Sequence, residues 1–108
     1  MRVSQEPLFS ISVGHRSGAA LLRLSGRFDG RALPQLDASL SRARDRDVLM
    51  DLGDLTFMDG AAWLAVMGVE HRVRDWGSRL RVVNVDGSIR KIFELTETEY
   101  LLAEPSTR

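Results

Sequence analysis

Three groupings in the chain have residue types and spacings that could do chemistry: closely spaced aspartates, a glycine-bounded turn and a helix start with uncovered amides. Asp51, Asp54 and Asp59 fall close together, but the order of acidic positions and the closing glutamate of a calcium loop are absent. Gly14-His15-Arg16-Ser17-Gly18 lacks the lysine and the length of a phosphate cradle, and it leads into a strand where a cradle leads into a helix. His15 and His71 are the only histidines, and neither has a second ligand at metal-binding spacing. No serine sits in a nucleophile elbow, and no histidine accompanies a nucleophile. The residues therefore predict no catalytic centre, no cofactor and no metal, and hence a non-enzyme.

The third grouping is Phe57-Met58-Asp59-Gly60-Ala61-Ala62-Trp63-Leu64. It reads as a strand end, an acidic cap and a helix whose first turn carries a large aromatic. A helix N-terminus holds unpaired amides and about half a positive charge, which favours anions. Asp59 as the cap contributes about 1 kcal/mol by accepting an amide hydrogen bond. Asp29 is placed to do the same for a helix that starts near Arg31. Trp63 and Met67, one turn apart with Leu64 beside them, lie off the apolar stripe of this helix. They predict an exposed apolar patch of the kind that marks association surfaces.

The elements that must position these residues follow from periodicity. Leu8 to Val13 and Ala20 to Leu24 predict two strands joined as a hairpin by a five-residue loop, Gly14 to Gly18. Leu33, Leu36, Leu40 and Ala43 predict an amphipathic helix over 31–43, with Pro34 tolerated in its first turn. Val48 to Leu52 and Leu80 to Val85 predict short interior strands, the first closed by Gly53-Asp54. Between them Ala62, Val66, Val69, Val73 and Trp76 recur at helical spacing over 60–76, with Gly77 as the stop. Ser88 to Leu95 repeats that pattern, and Tyr100 to Leu102 suggests a short edge strand. Strands alternating with helices after an initial hairpin imply an α/β domain, with a mixed sheet of four to five strands and amphipathic helices packed over it.

Composition narrows the function classes. With 108 residues and 44% hydrophobic content the chain supports one domain, 1–108, with its core over about 8–103. Fifteen basic residues cancel fifteen acidic ones, so the net field that draws proteins to nucleic acid is lacking. The alternating run Arg42 to Asp47 reads as a solvated helix end. No signal-like apolar segment opens the chain and no eighteen apolar residues run together, so membrane insertion is not expected. The absence of cysteine agrees with a reducing cytoplasm, the location expected here.

At Asp51-Leu52-Gly53-Asp54-Leu55-Thr56-Phe57-Met58-Asp59 the chain resembles the STAS family, the anti-sigma factor antagonists and their relatives. The likeness extends over Leu24 to Asp29, Leu80 to Val85 and Ile89 to Leu95. In the family pattern, "F-[IM]-D-S-S-G-L-G", the first serine or a threonine accepts a phosphoryl group from a partner kinase. Here Gly60 stands at that phosphoacceptor position, Ala61 replaces the second serine, Ala62 the glycine, and Trp63 and Leu64 the last pair. Glycine has no hydroxyl to esterify, so the switch cannot operate at Gly60.

The resemblance implies a non-catalytic module that regulates transcription by partner switching, binding an anti-sigma factor with a serine-kinase-type ATPase domain. It implies partner-binding residues Asp29, Phe57, Met58, Asp59, Gly60, Ala61, Trp63, Leu64 and Met67. Small free STAS proteins also resemble a subunit that docks on the ATPase of a lipid-transport complex, which is the alternative. Phosphorylation at Thr56 or Ser25 and a homo-oligomer are left open.

Overall fold

The computed structural model describes residues 8–103. The element order is β1 (Ser10–Arg16), β2 (Ala19–Phe28), a 3-10 turn (Gly30–Ala32), α1 (Leu33–Ser41), β3 (Val48–Met58), α2 (Gly60–Asp75), β4 (Leu80–Val83), α3 (Gly87–Leu95) and a second 3-10 turn (Glu99–Leu101). The strands lie in the order β1-β2-β3-β4, with β1 antiparallel to β2 and the other pairs parallel. The parallel steps need crossovers, which α1 and α2 supply.

Alternation along β2 decides which side meets the helices. Ala20, Leu22, Leu24 and Phe28 are buried, while Arg23 between them is exposed. Val48, Met50 and Leu52 of β3 and Leu80 and Val82 of β4 join the same cluster. The helices add Leu36 and Leu40 from α1, Ala62, Val66, Val69 and Val73 from α2, and Phe93 from α3. Each fully buried leucine contributes about 2 kcal/mol through its apolar area. The stripe expected on α2 is thus the one that packs.

Three local expectations are corrected. The hairpin loop is not five residues long, because β1 continues through Arg16, held by the pairs His15↔Ala20 and Arg16↔Ala19. The turn is Ser17-Gly18, with φ of 52° and 85°, the left-handed pair that a tight two-residue hairpin requires. Second, β3 does not close at Gly53-Asp54 but runs on to Met58. Its pairing with β2 continues across two register shifts, between Arg23 and Ser25 and between Gly26 and Arg27. At each shift β3 advances one residue more than β2, so the irregular Gly-Asp pair is absorbed as a bulge in a strand that keeps its partner. Third, Tyr100 to Leu102 is not a strand: Tyr100 and Leu101 belong to the second 3-10 turn, and only Leu102, just after it, bridges to Val82.

The helix expected over 31–43 begins with the 3-10 turn and becomes α-helical at Leu33, with Pro34 in the first turn as anticipated. Gly26 lies between the two bulges with φ of +88°, and a side chain there would collide with the Leu8 carbonyl. The approach lets the segment before β1 lie against β2, where Phe9 stacks on Phe28 at 5.2 Å between centroids. Gly26→Ala is expected to destabilise the fold by about 1–3 kcal/mol through left-handed strain alone, more once the collision is added. A lowered urea midpoint with an unchanged slope is the readout.

Candidate functional site

The site grows from two strand ends. β2 and β3 are parallel, so both finish at the same edge of the sheet: Phe28 pairs with Met58 as the last step of their ladder. The chain leaves each strand through an aspartate in extended conformation, Asp29 with φ −138° and Asp59 with φ −119°. Each carboxylate then turns back on the helix it precedes. Asp29 Oδ1 accepts from the Arg31 amide at 3.0 Å, and Asp59 Oδ1 accepts from the Ala62 amide at 2.9 Å. Both are N-caps of the kind expected from sequence.

The two turns touch. The Gly30 α-carbon faces Ala61 so closely that a methyl group on it would sit 3.7 Å from the Ala61 Cβ. Arg27, Asp29, Gly30 and Arg31 on one side therefore meet Phe57, Asp59, Gly60 and Ala61 on the other. The Arg27 guanidinium lies over the Phe57 ring, 3.9 Å from its centroid, a cation–π contact that joins the strand ends from above. Arg31 grips Asp29 with two nitrogens, Nη2 to Oδ2 at 2.9 Å and Nε to Oδ1 at 3.3 Å, and Arg27 Nε adds an ion pair at 3.4 Å.

This donor set holds the Asp29 carboxyl below the ordinary carboxylate range, first through the Arg31 side-chain hydrogen bond, then through the Arg31 amide, with the charges of Arg31 and Arg27 adding to it. A depressed folded-state value means that the stabilisation is complete above the ordinary carboxylate range and is lost as pH falls through the lower folded value. The turn therefore keeps its charge through mild acid.

The expected residues fall into different environments. Gly60, Ala61 and Leu64 are exposed, Leu64 by 63%. A side chain built on Gly60 would meet nothing within 4 Å, so the hydroxyl is missing from an open position. Met58 is buried and supports the turn from beneath. The apolar patch expected from Trp63, Leu64 and Met67 is divided: Trp63 and Met67 are half-buried against the core, and only Leu64 stands free. The division has a cause, because Trp63 Nε1 donates to Thr98 Oγ1 at 3.2 Å, and Thr98 is itself buried and lies 2.8 Å from Thr96 Oγ1. Sequence reasoning missed Arg27, Arg31 and Thr98. The arginines flank Asp29 at two residues on either side, a signal available in hindsight, whereas Thr98 is thirty-five residues from Trp63 and gave none.

Among the described residues no group of three or more histidine or acidic side chains could hold a metal ion, and no helix is long and apolar enough to cross a membrane.

The family model described as "Mlab, STAS domain" matches residues 11–103, and the chain belongs to the STAS domain family. The fold is similar to that of the Bacillus anti-sigma factor antagonist SpoIIAA in its unphosphorylated form, with TM-score 0.73 at 19% identity over 92% of this chain and 89% of that one. The phosphorylated form of SpoIIAA gives TM-score 0.71 at 19% identity over 90% and 92%. An anti-sigma factor antagonist from Mycobacterium paratuberculosis gives 0.74 at 17% over 88% and 83%. No curated protein matches by sequence.

Two outcomes check this geometry. Trp63→Phe removes the donor to Thr98 and part of the indole's packing, so chemical denaturation should show a loss of about 1–3 kcal/mol. In an NMR pH titration the Asp29 carboxyl should titrate below an ordinary aspartate, and Arg31→Ala should move it upward.

Proposed function

We propose that the protein is a non-catalytic interaction module of the anti-sigma factor antagonist type, binding an anti-sigma factor with a serine-kinase-type ATPase domain. The observation that carries the reading is the contact between the Asp29-Gly30 turn and the start of α2, which brings exposed Gly60, Ala61 and Leu64 beside a fixed arginine–aspartate cluster. Such a surface offers an apolar anchor, Leu64, within a polar rim, the arrangement on which small interfaces concentrate their energy. Asp29, Phe57, Asp59, Gly60, Ala61 and Leu64 form its contact surface, and Met58, Trp63 and Met67 hold it from behind.

The missing hydroxyl gives this reading its particular form. A phosphate at the first helical residue would add about −2 charge beside Asp59 and change any interface built over that turn. With glycine there the surface keeps one charge state, and the partner meets the same face whether or not ATP is present. Regulation of transcription by partner switching would then depend on the amount of the module rather than on its modification.

A second reading, which the resemblance to the STAS family also implies, is docking on the ATPase of a lipid-transport complex. Neighbouring genes for a sigma factor and a kinase, or for a permease and an ATPase, separate the two. Mass spectrometry of what co-purifies with the tagged protein from its own cell makes the same distinction directly.

Leu64→Asp is expected to weaken capture of that partner about tenfold or more, with a fold stability within about 0.5 kcal/mol of the parent because the side chain is exposed. Undiminished capture would remove the docking face from consideration. Gly60→Ser should fold normally, since its position is open, and incubation with a cognate kinase and ATP should add one phosphate to the variant and none at residue 60 of the parent.

A further inference from the structure

The far end of the sheet carries a second surface. The β1–β2 turn, the start of β3 and the start of β4 meet at the edge opposite the two aspartate turns. The pairings align Arg16 with Ala19, Ala20 with Val48, and Val48 with Leu80. One residue back from these last pairs, Asp47 lies beside Arg79, whose amide donates to Asp47 Oδ1 at 2.9 Å. Across the next row of the sheet face turned from the helices run Gly14, Leu21, Leu49 and Arg81. Between the outer strands the lining is Ala19, which presents almost no side chain, and Leu49. Arginines stand at both of its margins.

The result is a groove of about 650 Å³ whose lining includes Arg16, Arg79, Arg81, Ser17, Ser78 and Asp47. The three arginines are exposed, and none has an ion pair among the described residues. Arg23, Arg27, Arg31, Arg72, Arg74 and Arg90 each lie within 4 Å of a carboxylate, and Arg42, Arg44 and Arg46, which like the groove arginines have no ion pair among the described residues, lie in or beside the turn after α1 and line no part of the groove. The single carboxylate in the groove, Asp47, already accepts from an amide. Three guanidinium groups against one carboxylate leave an excess of two positive charges in a concave space in a chain whose formal net charge is zero.

We propose that this groove binds a compact phosphate-bearing anion of at least two negative charges, of the diphosphate type. Guanidinium groups are planar forks that meet phosphate oxygens two at a time, and their weak hydration makes the exchange of water for phosphate favourable. A single phosphate would engage one margin of the groove. Strands are about 4.8 Å apart, so β1 and β4 are separated by about 14 Å, and a diphosphate between them lets arginines reach in from both sides. The hydroxyls of Ser17 and Ser78 add neutral donors. The site lies at the opposite end of α2 from the face proposed to bind a protein partner, and either can fail without the other.

The shared chemistry has two sources, a soluble diphosphate or a diphosphate lipid headgroup, and the test has an arm for each. Full-length protein is titrated with pyrophosphate at low ionic strength while amide shifts are followed by NMR, and is separately sedimented with phosphatidylcholine vesicles with and without diacylglycerol pyrophosphate. Saturable shifts confined to residues 16–19, 47–49 and 77–81, or sedimentation only with the diphosphate lipid, are expected. Arg81→Glu and Arg16→Ala should each weaken the active arm about tenfold or more, as the loss of a charge-assisted contact implies, with unchanged urea midpoints. Arg44→Ala, in the turn after α1, should not. No saturation in either arm overturns the proposal, and so does an Arg44→Ala effect equal to that of Arg81→Glu.

Discussion

Parallel pairing between β2 and β3 is the constraint on which the rest of the structure depends. It forces the two strands to end together, so two turns separated by nearly thirty residues of sequence become neighbours. Each turn then solves the same local problem in the same way. A strand must hand over to a helix whose first amides have no partner, and an extended aspartate supplies the acceptor. Without the shared edge, Asp29 and Asp59 would be two unrelated caps. With it, they are the frame of one surface.

The bulges in β3 serve that alignment. β3 carries extra residues relative to β2, and a regular ladder would leave its last residues out of register with the end of its neighbour. Two irregularities absorb the difference, and Gly26 between them takes a left-handed conformation that also admits the backbone of Leu8. Local irregularity here preserves long-range register. The cation–π contact of Arg27 on Phe57 is possible only because the two residues emerge opposite one another.

Much of the fold was legible because it rests on patterns of short range. The α2 stripe, the alternation in β2 and both aspartate caps depend on residues within one or two turns of each other. What was misread depends on partners remote in sequence. Gly53-Asp54 looks like a strand end until β2 is seen to hold it, and Gly14-His15-Arg16 looks like a loop until it pairs with β2. Tyr100 to Leu102 has strand-like residues, yet its backbone closes a tight turn and bridges at Leu102 alone. For the site, Leu64 stands exposed where helical spacing put it. Trp63 does not, because Thr98 lies in the connection after α3, whose approach to α2 has no signature in the sequence.

The two tryptophans occupy the two ends of α2. Trp63 sits in its first turn and Trp76 caps its last, which at 1.5 Å per residue puts them about 20 Å apart. One indole adjoins the surface framed by the aspartates, and the other immediately precedes the Gly77 to Arg79 segment that borders the arginine groove. Both are half-buried, a setting in which emission responds to changes in solvent contact. The helix thus carries an intrinsic optical label at each end, and replacing either tryptophan leaves the other to report alone on its own side of the molecule.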